Sequence, residues 1–289
     1  MINDLTTGSV GKELLRFSFP FMLSNALQTV YNLVDMVVVG QFVGSAGLTA
    51  VSLGGQITWL LCCLAIGYAS GGQILISQLV GTRDHEGIHR TIGTLFTAVA
   101  LFSILFTVLG IAVHRPLLRL LNTPAKAMEQ AVDYVVICSA GMFFVYGYNT
   151  VSAVLRGMGD STRPFLFIAI AAIINVFLDL LFVGAMGMKS GGAALATVIS
   201  QAASFVISMI YLYIRRESFG FDFKLRSFAI DGKTFKALSY LGLPLTVQTS
   251  AINISMLYVN AGINTYGLVY ASVFGIGSKL CSVMFIITN

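Results

Sequence analysis

The chain alternates between long apolar runs and short polar breaks. A helix needs about 20 apolar residues to cross the hydrocarbon core of a bilayer, and eight runs reach that length. The predicted spans are Leu14–Gly40, Leu48–Leu79, Thr91–Val113, Met128–Leu155, Pro164–Met188, Ala193–Ile214, Ala237–Gly262 and Val269–Thr288. A β-barrel is disfavoured, because these runs far exceed about ten residues and do not alternate apolar with polar positions. The pattern therefore predicts an all-α, polytopic membrane protein.

Composition supports this fold class. Hydrophobic residues make up 56% of the 289 residues and charged residues 10%, whereas a soluble domain carries about 25% charged residues. The basic residues lie in the breaks between spans rather than on one face with aromatic platforms, which excludes a nucleic-acid partner. The four cysteines fall within predicted spans without metal-ligand or disulfide spacing, so we expect apolar packing for them.

The distribution of basic residues predicts the orientation of the chain. With the N-terminus in the cytoplasm, twelve lysines and arginines lie on the inner side and only four on the outer side. The inner set is Lys12, Arg16, Arg83, Arg90, Arg156, Arg163, Arg215, Arg216, Lys224, Arg226, Lys233 and Lys236. We therefore expect a multi-pass protein of the inner (cytoplasmic) cell membrane with a cytoplasmic N-terminus.

An internal repeat predicts the domain organisation. The stretch "KELLRFSFPFMLSNA" from Lys12 aligns without a gap with "KALSYLGLPLTVQTS" from Lys236, which places Pro20 on Pro244. Duplicated halves are typical of transporters. We expect a six-helix N-terminal lobe over residues 1–215, a cytoplasmic linker over 216–235, and the first two helices of a repeated, incomplete C-terminal lobe over 236–289. The linker would lie along the membrane surface or form a solvated loop.

Two carboxylates lie deep within predicted spans, Asp35 in "YNLVDMVVVG" and Asp179 in "NVFLDLLFVG". Asn175 precedes Asp179 by four residues and so shares its helix face. At 1.5 Å per residue, both acids fall in the outer half of the bilayer. An Asp at the centre of a membrane costs about 2.5–3.5 kcal/mol, and such residues usually have a function.

Other polar groups are predicted at the same depth. Carboxylates, an amide and hydroxyls are hard oxygen ligands, which suit a proton or Na⁺ better than a transition metal. The predicted cation site, for H⁺ or Na⁺, comprises Asp35, Asn175, Asp179 and Thr197, with Tyr134, Asn32 and Gln28 supporting it or an adjoining cavity. The alternatives are a structural hydrogen bond between helices by a protonated Asp, a Thr197 bonded to its own helix, and a Tyr134 anchored at the interface. We expect no catalytic residue and no cofactor besides the coupling ion.

Helix-bending and polar positions in the first span suggest a moving part. Pro20 removes a backbone hydrogen bond and bends a helix, so it is either a hinge coupled to Asp35 or a static kink. Asn25, Gln28 and Asn32 follow a helical period. This polar stripe is expected to face the interior of the lobe or a cavity rather than lipid.

The stretches "LTTGSVGKELLRFSFPFMLSNALQTVYNLVDMVVVGQFVG", "ISQLVGTRDHEG" and "LRGMGDSTRPF" resemble the multidrug and toxic compound extrusion (MATE) family, in its DinF-like branch. The resemblance implies a secondary transporter with two six-helix lobes that exports organic, cationic compounds in exchange for H⁺ or Na⁺ by alternating access. It implies a monomer in the lipid bilayer and no enzymatic activity. The family's cation site falls on Asp35, Asn175, Asp179 and Thr197, and its first-helix proline on Pro20. One departure is that Ala237–Gly262 contains no Asp or Glu.

Three other functions compete with this interpretation. The "GMGD" motif ending at Asp160 matches some intramembrane aspartyl proteases, but Asp160 falls in a cytoplasmic loop and is expected to cap the next helix. A flippase for lipid-linked precursors would need a basic cavity, and the spans hold almost no Lys or Arg before Lys279. The third alternative is a membrane scaffold without transport.

Overall fold

The computed structural model describes residues 9–264, which form helices joined by short turns and contain no β-strand within that range. The helices are α1 (Val10–Phe42), α2 (Ser45–Gly81), α3 (His85–Leu120), α4 (Ala125–Ala140), α5 (Met142–Gly157), α6 (Thr162–Asp179), α7 (Lys189–Ile214), α8 (Arg216–Phe219) and α9 (Gly232–Asn264). A π-helical turn, Leu180–Ala185, follows α6, and a 3₁₀ turn, Leu225–Phe228, precedes α9. The predicted span Val269–Thr288 lies outside the described residues.

Most of the long described helices have the length and composition of membrane spans. Among the described residues, α2, α3, α7 and α6 with its π turn are long and apolar enough to cross a bilayer, and α4 with α5 makes a fifth span if the two count as one. Helices α1 and α9 have 33 residues each, which is about 50 Å of helix and ample length for a span. The predicted all-α, polytopic membrane fold is confirmed.

The predicted fourth span, Met128–Leu155, is two helices rather than one. Helices α4 and α5 meet at a bend of 50° around Gly141. The Gly141 backbone lies directly against the Val198 side chain of α7, where a Cβ atom would clash. The Thr107 hydroxyl of α3 donates to the Ser139 carbonyl at 2.9 Å, just before the bend. Contacts with two neighbouring helices thus accompany the break, and such contacts are not visible in an apolar run.

Helix α2 runs through the centre of the fold. It packs against α3, α4, α5 and α9, while α1 packs mainly against α6, and α7 packs against α4, α5 and α6. Small residues allow this crowding: Gly72, for example, leaves just enough room for the Leu95 side chain of α3. Close helix approach at small residues is the usual way in which membrane helices pack. The arrangement places α1 and α6, which carry the two intramembrane acids, side by side.

The linker after α7 packs against α3. The Asp222 carboxylate contacts the His89 ring at 3.1 Å, and the Thr97 hydroxyl donates to the Phe228 carbonyl at 2.6 Å. A side chain at Gly93 would collide with the carbonyl of Ser227. Because Gly93 has no side chain, the linker backbone can lie directly on α3.

Two linker carboxylates are held in their ionised form by hydrogen bonds. Donation from Ser227 and then from His89 keeps the pKa of Asp222 well below its ordinary value. Asp231 accepts from both the backbone amide and the hydroxyl of Thr234, at 2.8 Å and 2.6 Å, and these bonds lower its pKa. Asp231 therefore caps the start of α9, immediately after the linker leaves α3.

Candidate cation site

The two intramembrane acids face each other inside the helical bundle. Asp35 of α1 is 6% exposed and Asp179 at the end of α6 is fully buried. The carboxyl group of Asp179 lies close enough to that of Asp35 for the two to interact. The contact follows from the packing of α1 against α6. The structure thus brings together two residues that are 144 positions apart in the sequence.

The α6 side of this pair holds polar atoms without ordinary hydrogen bonds. Both side-chain polar atoms of Asn175 and both carboxylate oxygens of Asp179 lack a hydrogen-bond partner of good geometry among the described residues. Asn175 is 1% exposed and lies one turn before Asp179. Buried polar groups are normally satisfied, so this cluster has the capacity to bind an ion or proton.

A π-helical turn begins directly after Asp179. Such turns are rare, and they occur often at functional sites because they redirect the helix and its side chains. Gly184 within the turn lies against the Phe42 ring at the end of α1. The predicted span Pro164–Met188 is therefore not a regular helix throughout, and its irregular part starts at the acid.

Tyr134 of α4 is buried beside Asp35 rather than exposed at the membrane interface. It is 7% exposed and lies near Asp35 and Cys138, the latter one turn along the same helix. Its ring packs on Gly54 of α2, where an added Cβ atom would lie 2.7 Å from the ring atom Cδ1. The absence of a side chain at Gly54 allows the ring to occupy this position.

Two residues that sequence reasoning missed extend the site. The Gln201 amide of α7 donates to the Tyr31 hydroxyl at 3.5 Å, and Tyr31 also lies near Gln28 and Asp35. A helical period was the available signal, because Tyr31 precedes Asp35 by four residues and Gln201 follows Thr197 by four. Each shares a helix face with a residue already selected.

The remaining predicted residues have less direct positions. The Thr197 hydroxyl donates to the Ala193 carbonyl of its own helix at 3.0 Å, which is the alternative predicted for it. Gln28 is half-buried beside Tyr31, whereas Asn32 is exposed and so does not face the interior of the lobe. Pro20 lies inside α1, where its carbonyl accepts from the Ser24 hydroxyl at 2.8 Å.

The arrangement has a simple chemical consequence. Two carboxylates held together away from water repel each other unless a proton or cation is bound between them. The hard oxygens available are those of Asp35, Asp179 and the Asn175 amide, which suit H⁺ or Na⁺. Among the described residues, no cluster of three or more His, Cys, Asp or Glu side chains forms a conventional metal site.

Asp160 of the "GMGD" motif has a structural role at the start of α6. Its Oδ1 atom accepts from the backbone amides of Thr162 and Arg163, both at 3.2 Å, at the start of α6. Its other oxygen forms an ion pair with the Arg163 side chain at 3.3 Å. Asp160 thus caps α6 as predicted, at the opposite end of that helix from Asp179.

A bundle of long apolar helices that encloses a buried pair of facing acids defines a polytopic membrane protein. The family model described as MatE matches residues 20–181, more than half of the chain. The chain therefore belongs to the MatE family, whose members are membrane transporters and not enzymes.

Individual relatives are similar over nearly the whole chain. It is 33% identical over 279 residues to the probable multidrug resistance protein YoeA of Bacillus subtilis, covering 95% of this chain and 60% of that protein. It is 32% identical over 285 residues to the probable multidrug resistance protein YpnP of the same organism, covering 97% and 62%. The chain thus spans about 60% of the length of the curated relatives it matches.

Solved structures of related transporters share the fold. An outward-facing multidrug resistance MATE family transporter superposes with a TM-score of 0.86 at 27% identity, covering 98% of this chain and 63% of that one. An inward-facing conformation of such a transporter gives a TM-score of 0.79 at 26% identity, covering 90% and 58%.

Proposed function

We propose that this chain acts in a secondary transporter that exports organic, cationic drugs or toxic compounds in exchange for H⁺ or Na⁺. The single observation that carries the proposal is the facing pair of buried acids, Asp35 and Asp179. The names of the relatives, probable multidrug resistance proteins, support drugs as the substrate class. The proposed coupling site comprises Asp35, Asp179 and Asn175, with Thr197 completing it when its hydroxyl oxygen turns to the ion.

The proposed mechanism uses the same site for loading and release. A cation or proton bound between the two acids removes their repulsion, so the empty and loaded sites favour different helix arrangements. Pro20 and the Ser24 hydroxyl, which bonds back to the Pro20 carbonyl, both weaken the regularity of α1. We place the hinge there, between the cytoplasmic half of α1 and the half that carries Asp35.

The proposed topology puts the N-terminus in the cytoplasm and the protein, as a monomer, in the inner membrane. The twelve inner and four outer basic residues support this orientation. In this topology residues 1–215 are the first lobe, 216–235 the linker and 236–289 part of the second lobe. Transport proceeds by alternating access, and the higher TM-score with the outward-facing structure supports an outward-facing state here.

The experiment that tests the function is efflux of a fluorescent organic cation from vesicles under imposed H⁺ or Na⁺ gradients. We expect Asp35→Asn and Asp179→Asn each to abolish the efflux that depends on the gradient. Asp133→Asn is the matched control, because Asp133 is an exposed acid on α4 beside Tyr134. Efflux that stays gradient-driven at the wild-type rate in both site variants would refute the coupling role.

A further inference from the structure

The backbones of α2 and α9 approach each other closely at two glycines of α2. A Cβ atom added at Gly71 would lie 2.8 Å from the amide nitrogen of Gly242. One added at Gly67, one turn earlier on α2, would collide with the Thr246 hydroxyl oxygen and lie 2.8 Å from the Thr246 amide nitrogen. Only glycine at these α2 positions permits this approach. We call this contact, Gly67 and Gly71 against Gly242 and Thr246, the glycine seam.

Side-chain hydrogen bonds flank the glycine seam on both sides. The hydroxyls of Tyr68 and Ser239 are 2.8 Å apart, and the Asn253 amide donates to the Cys63 sulfur at 3.5 Å. Tyr68 is 3% exposed, and its ring packs edge-on against Phe102 of α3 with centroids 4.8 Å apart. The contact between α2 and α9 is therefore extended and specific rather than a single touching point.

The glycine seam lies in the half of the bundle next to the linker. Gly71 precedes the end of α2 by ten residues and Gly242 follows the start of α9 by ten. At 1.5 Å per residue, each lies about 15 Å from that end of its helix. Both ends are on the linker side, which is the cytoplasmic side in the proposed topology. The seam thus joins the first lobe to the first helix of the second half at matching depth.

We propose that the glycine seam is the cytoplasmic gate of the transport path and that it is shut in this structure. The inference rests on the proposed function, because a path open to one side at a time needs a seal on the other. Where Gly71 meets Gly242, the seal is backbone against backbone, and no side chain there could rotate aside. The gate therefore opens only when α9 moves as a body away from α2, and a bridge between these helices should lock it.

The test is a reversible cross-link between Tyr68→Cys and Ser239→Cys in a background whose native cysteines are replaced. Both substitutions shorten side chains, so they introduce no clash, and a short bifunctional thiol reagent fills the gap. We expect a high yield of cross-link and at least a tenfold loss of efflux that returns on reduction. The same reagent should leave the efflux rate of each single-cysteine variant unchanged.

Two results would overturn the gate. One is export at the uncross-linked rate by fully cross-linked protein, and the other is absence of the cross-link in folded protein. If even the wild type fails to export the fluorescent cation, the proposed function fails and the gate is judged by cross-link yield alone. That yield should fall when the imposed ion gradient is reversed, and an unchanged yield would then count against a moving gate.

Discussion

A methyl group added at Gly54 should disturb the candidate cation site through the Tyr134 ring. A Cβ atom at Gly54 would lie 2.7 Å from Cδ1 of Tyr134, whereas ordinary contact begins at 3.4 Å. The ring must therefore move by about 0.7 Å, and it lies beside Asp35. The Val135 side chain is also too close to the new methyl group, because its Cγ2 atom would be 3.3 Å away.

The size of the effect follows from the cost of overpacking. Forcing an extra methyl group into a well-packed interior costs about 1–3 kcal/mol, and that energy corresponds to roughly 5- to 150-fold in an equilibrium. We expect Gly54→Ala to reduce gradient-driven efflux at least about fivefold. Part of the cost can instead lower the stability of the fold, so thermal unfolding in detergent is measured on the same preparation.

The neighbouring glycine provides a matched control. A Cβ atom at Gly55 has nothing within 4 Å, and Gly55→Ala brings the same gain in helix propensity as Gly54→Ala. Truncating the ring with Tyr134→Ala should remove the collision, so Gly54→Ala should cause little further loss in that background. The reasoning fails if Gly54→Ala and Gly55→Ala behave alike, or if the loss persists undiminished without the ring.

Two further predictions concern the end of the bundle next to the linker. Asp160→Ala should lower the free energy of unfolding by about 0.5–2 kcal/mol, because the α6 cap is lost. Asp160→Asn should keep most of the stability that the cap provides. Equal losses of stability in denaturant unfolding of the two variants would contradict a capping role. Hydrogen bonds lower the pKa of Asp222. At any pH above the ordinary carboxyl pKa of about 4, the contact of Asp222 with His89 should therefore keep the linker on α3. The contact should be lost only as the pH falls through the lowered pKa. Asp222→Asn should therefore increase hydrogen exchange in the linker already at pH 7, and protection equal to wild type would refute this.

The sequence predicted the helical spans well because hydrocarbon thickness sets the length of an apolar run. It did not predict the bend at Gly141 or the π turn after Asp179. Both irregularities accompany neighbours from other helices, Val198 against Gly141 and Phe42 against Gly184. An apolar run looks the same whether or not a distant side chain presses on it, so a tertiary contact of this kind leaves no local pattern.

The depth of the site residues along their helices was predictable from the sequence, but the direction in which each side chain points was not. Counting residues from the helix ends places Asp35 and Asp179 at similar heights, and the structure places them face to face. Counting does not tell which way a side chain points around its helix. Asn32 was selected for its helical spacing and is exposed, so a cavity position stays a prediction for it, while Tyr31, its neighbour in sequence, lies in the buried cluster. Rotation about the helix axis is fixed by packing partners, which one sequence does not identify.

Helix α2 connects the candidate cation site to the proposed gate. Gly54 supports the Tyr134 ring beside Asp35, and Gly67 meets α9 thirteen residues further along the same helix, a distance of about 20 Å. Because α2 is one continuous helix, a shift forced at Gly54 when the site changes its charge must be absorbed by neighbouring helices or transmitted to the seam. In the internal repeat, α9 corresponds to α1 and has a proline, Pro244, at the position of Pro20. The described length of α9, however, contains no acidic residue. In the proposed mechanism the ion binds between α1 and α6, and α2 is the element that would carry its effect to α9.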